Sequence, residues 1–128
     1  MTTLAQEFGF TRDQAQAITE QAFNLLDAGD LDGAATIFAG LLVLNPLDAA
    51  IHAALGTVFH QQGRTAEARA AYDEAIRLDG DTVLARVNRG ELRLQAGDLK
   101  GLDDVRVAAG KPSAVQGRAK ALLQRFSP

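Results

Sequence analysis

The apolar positions of this chain fall into blocks, set apart by short stretches where glycine, proline and aspartate gather: Gly29-Asp30, Pro46-Leu47-Asp48, Gly63-Arg64, Gly80-Asp81, Gly97-Asp98 and Lys111-Pro112-Ser113. Alanine and leucine dominate the blocks, and β-branched residues are sparse and scattered. Both are strong helix formers, and small alanines let helices approach closely. The pattern predicts an all-α fold, with helices over about 12–28, 31–44, 48–62, 65–78, 82–96 and 99–109 and a last helix over about 114–126. Thr11 is the expected N-cap of the first helix, with Gln14 completing a capping box. Asp48, Thr65 and Asp81 stand where later helices begin. Residues 1–10 are read as an N-terminal arm, whose Leu4, Phe8 and Phe10 are available to dock on the helices or on a partner. Residues 11–128 are read as one domain.

The blocks repeat. Gly29, Gly63 and Gly97 stand 34 residues apart. Ala22, Gly56 and Gly90 precede them at a constant offset, and Ala34, Ala68 and Leu102 follow at another. Phe38, Tyr72 and Arg106 form a further column, as do Leu41, Ala75 and Ala109, and then Pro46 and Gly80. Each column has a physical reason. A glycine between two helices takes the positive φ that ends the first. Small residues at 22, 56 and 90, facing small residues at 34 and 68, permit close helix crossing. The aromatics at 38 and 72 fill the space between one helix pair and the next.

This pattern resembles the tetratricopeptide repeat, a 34-residue helix–turn–helix. The second repeat carries Leu55-Gly56, Phe59, Gly63, Ala68, Tyr72, Ala75 and Leu78 in the consensus columns. The first keeps Ala22, Leu25, Gly29, Ala34, Phe38 and Pro46; the third keeps Gly90, Gly97 and Ala109 but has Arg106 where an aromatic belongs. The resemblance implies three repeats, about 15–48, 49–82 and 83–110, wound into a short right-handed superhelix. The helix over about 114–126 would cap the apolar face that the last repeat leaves open.

Composition narrows the chemistry. With no cysteine, disulfides, thiolate metal sites and cysteine nucleophiles are excluded, and two histidines do not make a three-histidine site. The net charge of −3 argues against nucleic acid as a partner. The longest apolar run, Leu41 to Leu44, is far short of the roughly 20 residues that cross a bilayer. The first residues show neither a basic nor an apolar signal region, so a cytoplasmic location is expected. There is no phosphate loop, nucleophile elbow or paired-histidine zinc motif. His52 and His60 are read as polar surface or groove residues rather than metal ligands. Asp27, Asp30 and Asp32 surround Gly29, but Leu41 stands where a calcium loop needs its closing acid. No catalytic residue, metal or cofactor is expected.

Arg86, Arg89 and Arg93 lie on one face of the helix over 82–96, in columns that the repeat family usually fills with apolar residues. Two readings stand: internal ion pairs with Asp103, Asp104 or Asp73, or a charged contact with an acidic partner segment or subunit.

In the tetratricopeptide family the first helix of each repeat lines a concave groove. Carried onto this chain, the inward columns are Gln16, Thr19, Phe23 and Leu26, then Ala50, Ala53, Thr57 and His60, then Leu84, Val87, Glu91 and Leu94. The lining is mostly small and apolar, suited to an extended peptide with a few anchoring side chains. Thr19 and Phe23 replace the lysine and asparagine with which one subclass clamps a terminal carboxylate.

Four further stretches sharpen the resemblance: Ala22-Phe23-Asn24-Leu25-Leu26-Asp27-Ala28-Gly29-Asp30; Ala34 with Ile37-Phe38, Leu41 and Val43-Leu44; Leu55-Gly56 with Gln61 and Gly63; and Ala71-Tyr72 with Ala75-Ile76 and Leu78-Asp79. Together they resemble the class II chaperones of bacterial type III secretion, small acidic proteins that hold translocators before export. The resemblance implies a non-enzymatic protein that shelters an extended segment of a secreted partner in its groove. The alternative is a general scaffold that binds through its convex or charged surface. Members of that group often dimerise through a longer N-terminal helical region, so a homodimer stays open although only about ten residues precede the first helix here. Thr19 and Leu26 stand where that group has groove tyrosines.

Overall fold

The computed structural model describes residues 7–128; Leu4 of the expected arm lies outside them. The described residues form helices only: α1 (Arg12–Asp27), α2 (Leu31–Leu44), α3 (Ala49–Gln61), α4 (Thr65–Leu78), α5 (Val83–Gln95), α6 (Gly101–Ala109) and α7 (Gln116–Phe126). Helices α1–α2, α3–α4 and α5–α6 make three hairpins. Each packs on the next, and α7 closes the stack against α6 and α5.

The 34-residue register is a register of turns. Gly29, Gly63 and Gly97 have φ of +84°, +78° and +82°, a conformation that side chains resist. The same pair of hydrogen bonds closes each turn. Gly29 N–H donates to Leu26 O and Asp30 N–H to Leu25 O at 3.0 and 2.9 Å. Gly63 and Arg64 repeat this on His60 O and Phe59 O, and Gly97 and Asp98 on Leu94 O and Arg93 O. These bonds satisfy carbonyls that a helix end leaves orphaned. At the other ends, Thr11 and Gln14 form the expected capping box, and Asp30 and Asp48 cap α2 and α3 through their side chains. Thr65 is the first residue of α4, whose N-cap is Arg64.

Close approach explains the small-residue columns. A Cβ added at Gly56 would sit 2.6 Å from the Tyr72 ring. One added at Gly90 would meet Val105 at 2.6 Å and the Gly101 carbonyl at 2.9 Å. Glycine therefore lets α3 press on α4, and α5 on α6. Phe38 and Tyr72 are completely buried and centre the clusters of the first two hairpins. The third cluster, without an aromatic in that column, is built from Val87, Leu94, Leu102, Val105 and Ala108. It is completed by Ala119 and Leu122 of α7. Each large apolar side chain so buried contributes roughly 1.5–3 kcal/mol. Arg106 points out to solvent, where it pairs with Asp103.

At the opposite end, Phe10 borders an open hollow with Ile18, Leu41 and Leu44; both Phe10 and Phe8 are exposed, Phe8 the more so. No helix among the described residues is long and apolar enough to cross a membrane.

Candidate functional site

The helices that open each hairpin lie side by side: α3 touches α5, and α5 touches α7. Between them runs an open cleft of about 440 Å3. Helix α1 contributes Phe23, Leu26 and Asp27 to it; α3 contributes Ala54, Thr57, His60 and Gln61; α5 contributes Leu84, Asn88 and Glu91. Tyr72 forms part of the floor, and Arg118 reaches in from α7. Phe23 is held by an edge-on contact with Phe38, ring centroids 5.1 Å apart.

A polar line crosses the floor. The Tyr72 hydroxyl donates to Thr57 Oγ1 at 3.4 Å, and Asn88 Nδ2 donates to the same oxygen at 3.2 Å. The Thr57 hydroxyl itself donates to the Ala53 carbonyl. Asn88 Oδ1 accepts from Arg118 Nη2, and Arg118 Nε lies 3.4 Å from a Glu91 carboxylate oxygen. Every member is partnered, so burying Asn88 costs little. Burial raises the Tyr72 hydroxyl above the ordinary tyrosine value of 10.0, more than the hydrogen bonds of Thr57 and Asn88 lower it.

The expected groove residues divide. Phe23, Leu26, Thr57, His60, Leu84 and Glu91 meet in this cleft. Ala53 and Val87 do not: both have zero exposure, Ala53 against Tyr72 and Ala85, Val87 against Val105 and Ala119. Leu94 is also core, packed on Leu102 and Val105 at 4% exposure. At 53 and 87 this column turns into the seam between repeats, because the stack rotates that face of each helix onto its neighbour. Thr19 lines a separate, smaller hollow of about 310 Å3 with Phe10, Leu41, Leu44 and Ile51. Its hydroxyl donates back to Ala15 O. Ala50 is exposed but does not line the cleft.

Ala54, Asn88, Tyr72, Gln61, Asp27 and Arg118 were not among the expected groove residues. Ala54 and Asn88 form a 34-residue column of their own, one position on from Ala53 and Val87, and a polar Asn in that column was a usable signal. Arg118 lies outside the repeats and left none.

The arginine stripe turns inward. Arg86, Arg89 and Arg93 converge on Asp104 of α6, which is 1% exposed. Arg86 Nη1 donates to Oδ1 at 3.0 Å and Arg93 Nη1 to Oδ2 at 2.9 Å. Arg89 grips both oxygens, Nε to Oδ2 at 2.9 Å and Nη2 to Oδ1 at 2.6 Å. Its Nη1 adds Asp73 at 3.0 Å, and Arg86 Nε adds the Gly80 carbonyl at 2.9 Å. Burial pushes the Asp104 carboxyl up, but hydrogen bonds from Arg89 and Arg86 and the charges of Arg89 and Arg93 outweigh it and hold it below its ordinary value. The same carboxylate raises Arg89. Of the two readings of this stripe, the geometry realises the internal one, with Asp104 and Asp73 as partners.

Among the described residues no group of three or more His, Asp or Glu is placed to hold a metal ion. The His52 ring is engaged with the Pro46 carbonyl at 2.9 Å, and His60 faces the cleft.

The family model for the tetratricopeptide repeat matches residues 19–82 and 62–101. The chain belongs to the tetratricopeptide-repeat family. Among solved structures, this tetratricopeptide protein is similar to SycD, the type III secretion translocator chaperone of Yersinia enterocolitica. The TM-score is 0.85 at 23% identity, covering 98% of both chains, a likeness of fold. PcrH from Pseudomonas aeruginosa matches at 28% identity and a TM-score of 0.80, over 94% of this chain and 96% of that one. PcrH in complex with the chaperone binding region of PopB matches at 29% identity and a TM-score of 0.77, over 90% and 98%. A stretch of 108 residues is also 33% identical to the cellulose synthase operon protein C of Xanthomonas axonopodis pv. citri, strain 306. That match takes in 81% of this chain but spans only 7% of that protein's length.

Proposed function

We propose that this tetratricopeptide protein is a non-enzymatic chaperone of the type III secretion kind, which holds an extended segment of a translocator-like partner in the cleft between α1, α3, α5 and α7. The observation that carries this is the cleft itself: partly exposed apolar positions at Phe23 and Leu84, over a floor that includes the buried Leu26 and Ala54, beside a fully partnered polar line. An extended peptide needs both, pockets for alternate side chains and hydrogen-bonding groups for its main chain. The likeness to PcrH, solved with the chaperone binding region of PopB, supports the same use of the fold. Such a holder works in the cytoplasm, before its partner meets a membrane. The scaffold alternative loses its best surface, because Asp104 and Asp73 already engage the arginine stripe.

The test is capture of a partner from the native host by the unaltered protein and by Phe23→Ala and Leu84→Glu variants. Both variants should keep their helical content and lose the stoichiometric partner. Retained capture by folded variants would contradict the proposal.

A further inference from the structure

We infer that Arg118 makes the cleft selective for an extended segment that carries an acidic side chain at its α7 end, beyond the apolar residues seated on Phe23 and Leu84. This rests on the reading of the cleft as a peptide-holding groove and adds to it the chemistry and direction of the occupant.

Four observations lead there. First, Arg118 is the one permanently cationic side chain among the residues lining the cleft. Second, its fork is aimed by a buried contact. Nη2 donates to Asn88 Oδ1, and Asn88, only 6% exposed, is fixed at its other end by Thr57 Oγ1. The guanidinium is therefore oriented before a ligand arrives, which reduces the ordering cost of binding. Third, the fork is not saturated. One of its five N–H donors makes a hydrogen bond, and the Glu91 oxygen stands 3.4 Å from Nε in a looser ion pair, with the arginine side chain 44% exposed. An exposed pair of that kind is weak, so an incoming carboxylate competes with it readily. Arg86, Arg89 and Arg93 differ on this point, since Asp104 takes all three.

Fourth, the opposite wall carries the opposite charge. Asp27 stands exposed on α1, at the far end of the stack from α7. A carboxylate on the segment is repelled at the α1 end and attracted at the α7 end. Charge complementarity thus sets the direction of the segment as well as a residue preference. Helix α7 then does two things: its apolar face closes the last repeat, and its polar edge completes the groove.

The experiment is selection from a display library of random linear peptides on the full chain, on Arg118→Glu and on Leu84→Glu. The unaltered protein should enrich peptides with apolar anchors and an aspartate or glutamate at a constant distance on one side of them. Arg118→Glu should enrich the same anchors with lysine or arginine there. For the best peptide made synthetically, changing that acid to its amide should weaken binding to the unaltered protein by about tenfold, the scale of one charge-assisted hydrogen bond. This last comparison needs no protein variant to fold. Enrichment of apolar anchors with no acidic preference, or an amide peptide that binds equally well, would overturn the inference and leave the groove standing. Peptides that bind Leu84→Glu as well as the unaltered protein would overturn the groove reading itself.

Discussion

Arg89 and Asp104 form a two-pronged ion pair across α5 and α6, Nε to Oδ2 at 2.9 Å and Nη2 to Oδ1 at 2.6 Å. The pair lies at the centre of a cluster that fastens the third hairpin, the one without a buried aromatic. Removing the buried anion would leave three guanidinium groups facing one another. We expect Asp104→Asn to cost about 3 kcal/mol of stability, the lower end of the range for breaking a buried pair because the arginines keep some solvent. Urea unfolding measures it, and a loss well under 1 kcal/mol would mean that water screens the cluster.

The same cluster sets an acid limit. The Asp104 carboxyl is lower in the folded chain than its ordinary 3.8, so its contribution is complete above that value and is lost as pH falls through the folded one. Melting temperature should drop below about pH 4, more for the unaltered protein than for Asp104→Asn. Equal acid profiles for the two would contradict this.

Leu94 and Leu84 separate core from groove. Both fall in columns that the repeat pattern turns inward, yet Leu94 is 4% exposed among Leu102 and Val105 while Leu84 lines the cleft. Leu94→Ala should cost about 2–5 kcal/mol by leaving a cavity. Leu84→Ala should cost less stability and weaken partner binding. Thermal melts and a binding titration on the same preparations check both halves.

Gly56 lies under the Tyr72 ring, where a Cβ would come within 2.6 Å of a ring carbon. Gly56→Ala should therefore destabilise by about 1–3 kcal/mol through overpacking. Gly40, with nothing within 4 Å of an added Cβ, should accept alanine without loss and with a small gain from helix propensity. Differential scanning calorimetry of the two variants makes the comparison.

Tyr72 is the single tyrosine of a chain without tryptophan, and it borders the cleft. Its emission should change when a segment occupies the groove. Its hydroxyl, raised by burial above 10.0, should titrate later in the folded protein than in urea. The stability that it adds is present below the ordinary value and is lost as pH rises through the folded one.

The sequence made the fold legible because turns and close contacts leave residue signatures at a fixed period. Gly29, Gly63 and Gly97 mark three identical turns, and Gly56 with Tyr72 marks a helix crossing. The cleft was legible in part. Phe23, Thr57 and Leu84 follow from the repeat columns, but Ala53 and Val87 in the neighbouring columns are buried by the rotation of one hairpin on the next. That rotation depends on how side chains pack between repeats, which periodicity does not encode. Arg118 was invisible for a different reason. It belongs to a helix outside the repeats, and its role arises from a contact with Asn88 across 30 residues of chain.

The proposed chaperone holds its partner segment in the cleft. Photo-crosslinking tests this most directly, with a photoreactive residue at position 84 in the groove or at exposed position 69 on α4, in the complex captured from the native host. Partner crosslinks are expected from position 84 and none from position 69. Crosslinks from 69 alone would place the partner on the outer surface and contradict the proposal.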